Sequence, residues 1–364
     1  MKTIRTTCSS LLLLLTLTAC QSTGPGPQSV VVERSAFNAA IQQTDAEQLL
    51  LNIVRLRYVD TPQFLELTSI ASQVEVEVGG SLSADIVEAS TDELGLGTSI
   101  TVTRAPTVSY VPLQGEEFVR QLLTPIDGRT LVLLYHSGWA VDRLFRLSLQ
   151  SLGSLPNAPR ASGPTPASEP EFASFLEAVA LLRELQLDGR LRLGQGAGQE
   201  GAIPLVLEFD LPRPTDPNDP ARDLRERLGV PLDQERIVLS NVFVGGSENY
   251  PVLSRSLMAI LFYAAQAVRV PEDALAAGHA TRTVADDGTD FDWSQIFDGL
   301  LDIRASKTFP DHAYVTVRHR NHWFFIADDD LDSKATFTLL DQLFALQAGT
   351  RQSSAPVLTL PIGR

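Results

Sequence analysis

The sequence has few cysteines, few basic side chains and no apolar run long enough to cross a membrane. Its 364 residues include two cysteines, and 29 basic residues stand against 44 acidic ones. The most apolar segments, residues 11–17 and 257–267, fall short of the ~20 residues that a spanning helix needs. Nucleic acid is bound by clustered lysine and arginine, so this acidic balance disfavours a nucleic-acid partner. A hydrophobic content of 44% predicts a folded body with a normal core.

The first 19 residues have the pattern of a secretory signal peptide. Lys2 and Arg5 supply positive charge, residues 11–17 form a short leucine-rich core, and Ala19 is a small residue before Cys20. This order of charge, apolar core and small residue is typical of a segment removed during export. We therefore expect cleavage between Ala19 and Cys20.

The residues Leu17–Cys20 resemble the lipobox of bacterial lipoprotein precursors. The resemblance implies a diacylglyceryl group on Cys20 and usually a further acyl chain, such as palmitate, on its new α-amine. The alternative is an ordinary signal peptide with a chance cysteine near its end. Two or more acyl chains anchor a protein stably, at ~0.8 kcal/mol per buried methylene. Gln21 stands where many inner-membrane lipoproteins carry Asp, so the resemblance favours the outer membrane, facing the periplasm.

Removal of the signal would leave 345 residues (364 − 19) with Cys20 as the remaining cysteine. Acylation would use that thiol, so no internal disulfide is expected. With Lys2 and Arg5 gone, 27 basic and 44 acidic residues give a net charge of −17, and electrostatic adhesion to anionic lipid is not expected. The membrane partner would be reached through the acyl chains alone.

The chain divides, by composition, into five segments. Residues 1–19 are the predicted signal, and residues 20–33 a flexible tether rich in Gly, Pro and Ser. An N-terminal α+β subdomain is expected over residues 34–155. The Pro/Ala/Ser-rich residues 156–170 are the predicted linker, and residues 171–364 form a C-terminal α+β subdomain.

Hydrophobic periodicity predicts helices mixed with mostly antiparallel strands and no βαβ rhythm, so the expected fold class is α+β. Thr44-Asp45 can cap an early helix, which Pro62 stops and whose buried face carries Leu49, Leu50, Ile53, Val54 and Leu56. Further predicted helices cover residues 115–123, 138–152, 171–187, 254–268 and 334–347, the last capped by Asp332 or Ser333. Predicted strands cover residues 63–78, 99–111, 130–135, 201–209, 237–244, 313–319, 322–327 and 357–360, with residues 79–97 as a long loop or hairpin tip.

His319 and His322 flank a predicted two-residue turn, Arg320-Asn321. Residues directly opposed across two strands lie about 5 Å apart, so two imidazoles could share a metal ion. No third ligand is identifiable, whereas a structural zinc site needs four. A polar pair beside Trp323 is the favoured interpretation, and no metal or other cofactor is expected.

Two further segments have motif-like spacing. Residues 328–332 place carboxylates at positions 1, 3 and 5 of a calcium loop, but position 6 is Ser333 and position 12 is Leu339, so a helix N-terminus is favoured. The glycine-rich residues 194–201 precede a strand, whereas a phosphate loop precedes a helix. His136-Ser137, Glu116-Glu117 and Gly95-Leu96-Gly97 carry no signature of a site, and no residue is expected to be catalytic.

Three segments of the body, residues 49–58, 322–328 and 358–363, are similar to an uncharacterised family of bacterial envelope proteins. The resemblance implies no particular activity. The leading hypothesis is a non-enzymatic lipoprotein that acts as an adaptor for another envelope protein. The second is a small-ligand or glycan-binding lipoprotein, with Trp139, Trp293 and Trp323 as stacking surfaces. The third is an envelope hydrolase, for which His319 and His322 are the candidate metal ligands.

Overall fold

The computed structural model describes residues 27–84, 94–164, 166–196, 205–209, 216–240 and 249–348. The predicted signal, Ala19, Cys20 and the predicted strand over residues 357–360 lie outside the described residues. The chain divides into two compact units, residues 1–48 and residues 49–364.

The described part of the first unit is helical. Helix α1 runs from Pro27 to Arg57. Residues 27–33, which were expected to belong to a flexible tether, lie within this helix. Proline is tolerated in the first turn of a helix, where its missing N–H has no partner to lose.

The second unit has an α+β fold, which confirms the predicted fold class. After α1, its helices are α2 (Glu116–Leu123), α3 (Gly128–His136), α4 (Val141–Ser148), α5 (Ala173–Leu187), α6 (Pro220–Leu228), α7 (Leu257–Ala265), α8 (Glu272–Ala276), α9 (Ser294–Phe297) and α10 (Leu331–Ala348). Its strands are β1 (Leu65–Ala84), β2 (Leu94–Pro112), β3 (Leu149–Leu152), β4 (Leu155–Pro156), β5 (Leu191–Gln195), β6 (Leu205–Phe209), β7 (Arg236–Ser240), β8 (Asn249–Ser254), β9 (Arg304–Ser306), β10 (Ala313–His319) and β11 (His322–Ala327).

The strands form three sheets. One is a six-stranded sheet in the order β4-β3-β8-β7-β6-β5, antiparallel except for the parallel pair β7 and β8. A second, antiparallel sheet has the order β10-β11-β9. The third is the two-stranded ribbon of β1 and β2. Helices α3 and α5 pack against the large sheet, and α4 packs against α5 and α7. Phe145, Phe175 and Leu261, from α4, α5 and α7, are fully buried in this core.

The ribbon, β1 with β2, is far longer than the other strand pairs. Its register runs from Leu65 opposite Pro112 to Ala84 opposite Leu94, with one irregularity between Leu67 and Ser69. At ~3.4 Å per residue, its 20-residue first strand extends over about 60 Å. The predicted loop over residues 79–97 therefore differs from the structure, since both strands continue well into it.

Residues 156–170 do not act as the predicted linker. The division into compact units falls at Gln48 instead, and this segment contributes Asn157, Ala158 and Ala161 to the core. Asn157 is fully buried and donates to the carbonyl oxygens of Arg146 and Leu149, at 2.9 and 2.8 Å. Proline and alanine here mark irregular backbone rather than an exposed connection.

Two other predicted elements differ in type or length. Residues 130–135, predicted as a strand, form most of α3, because the Asp127 side chain accepts from the backbone N–H of Thr130 and caps a helix there. The predicted helix over residues 138–152 ends at Ser148, and the chain continues directly into β3. An apolar run of this length is compatible with a helix or a strand, so the local pattern alone does not distinguish the two.

Candidate functional site

The histidine hairpin forms as predicted. β10 and β11 pair with His319 opposite His322, and Arg320 and Asn321 both have positive φ, at 43° and 67°. Two central residues with positive φ make the type I′ turn that suits a two-residue hairpin.

Each histidine faces a different aspartate. His319 Nε2 lies 3.2 Å from Asp60, whose carboxylate also accepts from Arg320 at 3.0 Å. His322 Nε2 lies 3.6 Å from Asp273. Burial lowers the pKa of His319, and the neighbouring Asp60 opposes that shift. Among the described residues, no group of three His, Cys, Asp or Glu side chains could hold a metal ion.

The acidic segment before α10 has a structural role, as favoured from its sequence. Asp330 accepts from the Ser333 N–H at 3.0 Å and from its hydroxyl at 2.7 Å, so Asp330, rather than Asp332 or Ser333, caps the helix. Asp328 pairs with Lys334 and Asp332 with Arg143, both at 2.7 Å.

The three tryptophans do not share a surface. Trp139 donates to Gln342 at 3.0 Å, and Trp323 stacks edge-to-face with Phe309, their ring centroids 5.0 Å apart. Trp293 donates to the hydroxyl of Thr283 at 3.3 Å and lies at a cleft that neither of the other two lines.

His136 and Ser137 do not form a catalytic pair. His136 Nε2 lies 3.1 Å from the carbonyl oxygen of Leu193, and the Ser137 hydroxyl donates to the carbonyl of Leu133. Glu116 and Glu117 lie in the first turn of α2, where Glu116 pairs with Arg120 at 2.5 Å. The glycine-rich segment joins β5 to β6, but residues 197–204 lie outside the described residues.

A cleft of about 660 Å³ lies in the described part of the chain. It is bounded by the end of α1, the residues after α7, the segment around α9, β9 and the start of α10. Five aspartates and three arginines line it, together with Trp293 and Phe297. A second, shallower cavity of about 450 Å³ adjoins it and shares Arg269 and Arg304 with it.

Arg57 is the unusual residue of this cleft. Its residue surface is 7% exposed, and one terminal nitrogen donates to the carbonyl oxygen of Thr281 at 3.0 Å. Its Nε has no hydrogen-bond partner, and no carboxylate of the described residues lies within 4 Å of its guanidinium. Burial lowers the pKa of Arg57 to about 10, so the side chain stays charged at neutral pH.

Gln266 presents a second unsatisfied group. The residue is 3% exposed, and its side-chain nitrogen donates to the carbonyl of Phe262 at 3.2 Å. Its Oε1 is buried without a donor among the described residues. Arg57 and Gln266 thus leave a donor and an acceptor unpaired at one cleft.

The other two arginines of the cleft share one carboxylate. Arg269 donates to both oxygens of Asp302, at 2.6 and 2.9 Å, and Arg304 donates to the same carboxylate at 2.9 Å. Asp302 is therefore fully engaged.

Sequence reasoning missed the cleft. Arg57 follows Leu50, Ile53 and Val54 at i+7, i+4 and i+3, so it continues the buried stripe of α1, and a charge in such a stripe is the signal that could have identified it. The sequence around Gln266 has no comparable feature, because its position at the same cleft as Arg57 arises only from the tertiary fold. No family model matches the chain, and neither a curated protein nor a solved structure matches it with significance.

Proposed function

We propose that this chain is a non-enzymatic lipoprotein of the bacterial envelope, anchored through acyl chains on Cys20 and acting as an adaptor for another envelope protein. The charge, apolar core and lipobox-like order of residues 1–20 support the anchor, with the outer membrane as its destination and the periplasm as the compartment of the body. No helix among the described residues is long and apolar enough to span a bilayer.

The observation that carries the adaptor role is the ribbon of β1 and β2. Within the described residues, its strands pair only with each other over their whole length. An isolated two-stranded hairpin is at best marginally stable in water, and its outer edges present unpaired N–H and C=O groups. A ribbon of about 60 Å therefore favours a protein that adds a strand to it.

The base of the ribbon adds apolar surface to these edges. Leu65, Tyr110 and Val111 are each more than 40% exposed and lie on neighbouring register positions. Exposed apolar side chains beside open strand edges are typical of an interaction surface. We infer that the partner contributes an extended segment that pairs with one ribbon edge and covers these residues.

In-cell crosslinking followed by purification from solubilised envelopes tests this role. A variant with residues 71–107 replaced by a two-residue Asn-Gly turn, which connects the register pair Ile70 and Val108, removes most of the ribbon and keeps its base. We expect a stoichiometric envelope protein with the unchanged chain and its loss with the shortened one. Arg57→Met, which leaves the ribbon intact, is the matched control and should keep the partner. Equal capture by both chains, or no partner with either, would reject the adaptor role.

Binding of a small ligand is the second candidate function, and the cleft at Arg57 favours it. The tryptophans do not carry this function as predicted, because only Trp293 lines the cleft. The hydrolase alternative has less support, since His319 and His322 each face a separate aspartate.

A further inference from the structure

Two buried polar side chains leave complementary groups unpaired at the same cleft. Arg57 has an Nε donor, and Gln266 has an Oε1 acceptor, without a partner among the described residues. Most buried polar atoms in folded proteins are hydrogen-bonded, and leaving one unpaired is costly. A buried charge is costlier still, because it has lost its hydration. A ligand that brings an anionic acceptor to Arg57 and a donor to Gln266 would remove both costs.

Three of the five carboxylates at the cleft are engaged by other residues of the chain. Asp302 lies between Arg269 and Arg304, Asp332 pairs with Arg143, and Asp330 caps α10. None of them lies within ion-pair distance of Arg57. The anion that would pair with Arg57 must therefore come from outside the described chain.

The charge of the lining narrows the class of ligand. Five aspartates against three arginines give the cleft an excess of negative charge. Such a lining repels a polyanion, such as a phosphate ester, and attracts a molecule that carries a cation beside its anion. Trp293 and Phe297 add aromatic surface against which an ammonium or an apolar side chain can pack.

We propose that this cleft binds a small zwitterion, an α-amino acid or a short peptide. Its carboxylate accepts from the Arg57 guanidinium, a pairing that the planar fork of arginine favours. A neighbouring N–H donates to Gln266 Oε1, and its ammonium is held by Asp292 and Asp298, lining aspartates that form no ion pair within the described residues. The volume of about 660 Å³ lies within the range of small-ligand sites. This proposal does not depend on the ribbon or its partner.

Calorimetry with the full acylated chain in detergent tests the proposal. The probes are alanine, lysine, glutamate and dialanine at millimolar concentration. Propionate and inorganic phosphate lack the ammonium, and propylamine lacks the carboxylate. We expect at least one zwitterion to bind. Propionate, phosphate and propylamine, which each lack the ammonium or the carboxylate, should bind at least about tenfold more weakly.

Variants then assign the binding to the two residues. Arg57→Met should weaken it at least about tenfold, and Gln266→Met by severalfold, because each removes one charged or polar contact. Arg120→Met, whose exposed side chain pairs with Glu116 outside the cleft, is the matched control and should stay within about threefold. Arg57→Lys tests the fork geometry independently if Arg57→Met fails to fold.

Three results would overturn the proposal. The first is that no zwitterion binds. The second is that propionate, phosphate or propylamine binds as tightly as the zwitterion, which would indicate a simple ion site. The third is that a folded Arg57→Met or Gln266→Met protein binds as the unchanged chain does. Loss of the ribbon's partner in crosslinking would affect none of these results.

Discussion

At the scale of single residues, Arg57 and Arg255 both carry a buried charge but differ in how many hydrogen-bond acceptors surround it. Burial lowers the pKa of each to about 10. Arg255 donates to Ser162 and to the carbonyl oxygens of Arg146, Leu147, Leu149 and Asn157, and its guanidinium lies 3.8 Å from the ring centroid of Tyr263. It binds carbonyls at the C-terminal end of α4, where a helix favours a cation. Arg57 has the carbonyl of Thr281 alone.

We expect Arg255→Met to destabilise the protein by about 3–5 kcal/mol, because it leaves several buried carbonyl oxygens without a donor. Urea unfolding followed by far-UV circular dichroism measures the change. Arg269→Met, whose side chain is 66% exposed, should cost less than about 1 kcal/mol and serves as the matched control. Equal losses in the two variants would contradict a structural role for Arg255.

We expect Arg57→Met to change the free energy of unfolding in the opposite direction. The lowering of the Arg57 pKa to about 10 corresponds to roughly 3 kcal/mol of unfavourable charge burial at neutral pH. Methionine removes that cost and loses one hydrogen bond, so the free energy of unfolding should stay constant or rise by about 1–2 kcal/mol. The same urea measurement applies. A loss above about 2 kcal/mol would mean that Arg57 stabilises the fold and does not await a ligand.

His319 should make stability depend on pH. Burial holds the pKa of folded His319 below its unfolded value of 6.5, so the unfolded chain binds the proton more tightly. Stability is therefore full above pH 6.5 and falls as the pH drops through that value. We expect His319→Gln to lose less stability than the unchanged chain between about pH 7 and about pH 5. His312→Gln, at an exposed position, is the control, and identical pH profiles for all three chains would refute this expectation.

At the scale of elements, sequence patterns predicted those helices and strands whose formation depends on local interactions. The bounds of β10 and β11 match their prediction, because alternation along each strand and a two-residue turn together fix the hairpin. Residues 130–135 were misread as a strand, since the cap at Asp127 lies outside the apolar run that suggested one. The glycines and serines of residues 79–97 suggested a loop, yet cross-strand pairing continues to Ala84 and Leu94.

The candidate site depends on the fold and was largely beyond sequence reasoning. The hairpin pair His319 and His322 was predictable, because two residues that flank a tight turn face each other by register. The aspartates opposite them, Asp60 and Asp273, come from distant parts of the chain. Neither partner could be identified without the tertiary structure.

The turn of the histidine hairpin offers a test at this scale. Asn321 has φ of 67°, a conformation that asparagine and glycine tolerate and β-branched residues do not. We expect Asn321→Val to cost about 1–2 kcal/mol in the free energy of unfolding and Asn321→Gly to change it by less than about 0.5 kcal/mol. Chemical denaturation of both variants measures the difference. Similar values for valine and glycine would contradict the type I′ turn.

At the scale of the whole molecule, the two proposed binding functions depend on separate parts of the chain. The ribbon would bind a protein through strand edges, and the cleft would bind a small zwitterion through Arg57 and Gln266. Each can be removed by a variant that leaves the other unchanged, so the two proposals fail or stand independently. The anchor is separate again, because it depends on residues 1–20 alone.

The anchor itself yields the prediction with the sharpest control. Cys20→Ser should lose palmitate labelling and move from the membrane to the soluble fraction, because the acidic body has no electrostatic attraction to anionic lipid. Cys8→Ser changes the other cysteine, which lies within the predicted signal, and should keep both label and membrane association. Fractionation after a high-salt wash distinguishes acyl anchoring, which resists salt, from adhesion through charge. If Cys20→Ser stayed in the washed membranes, a partner rather than lipid would hold the protein there.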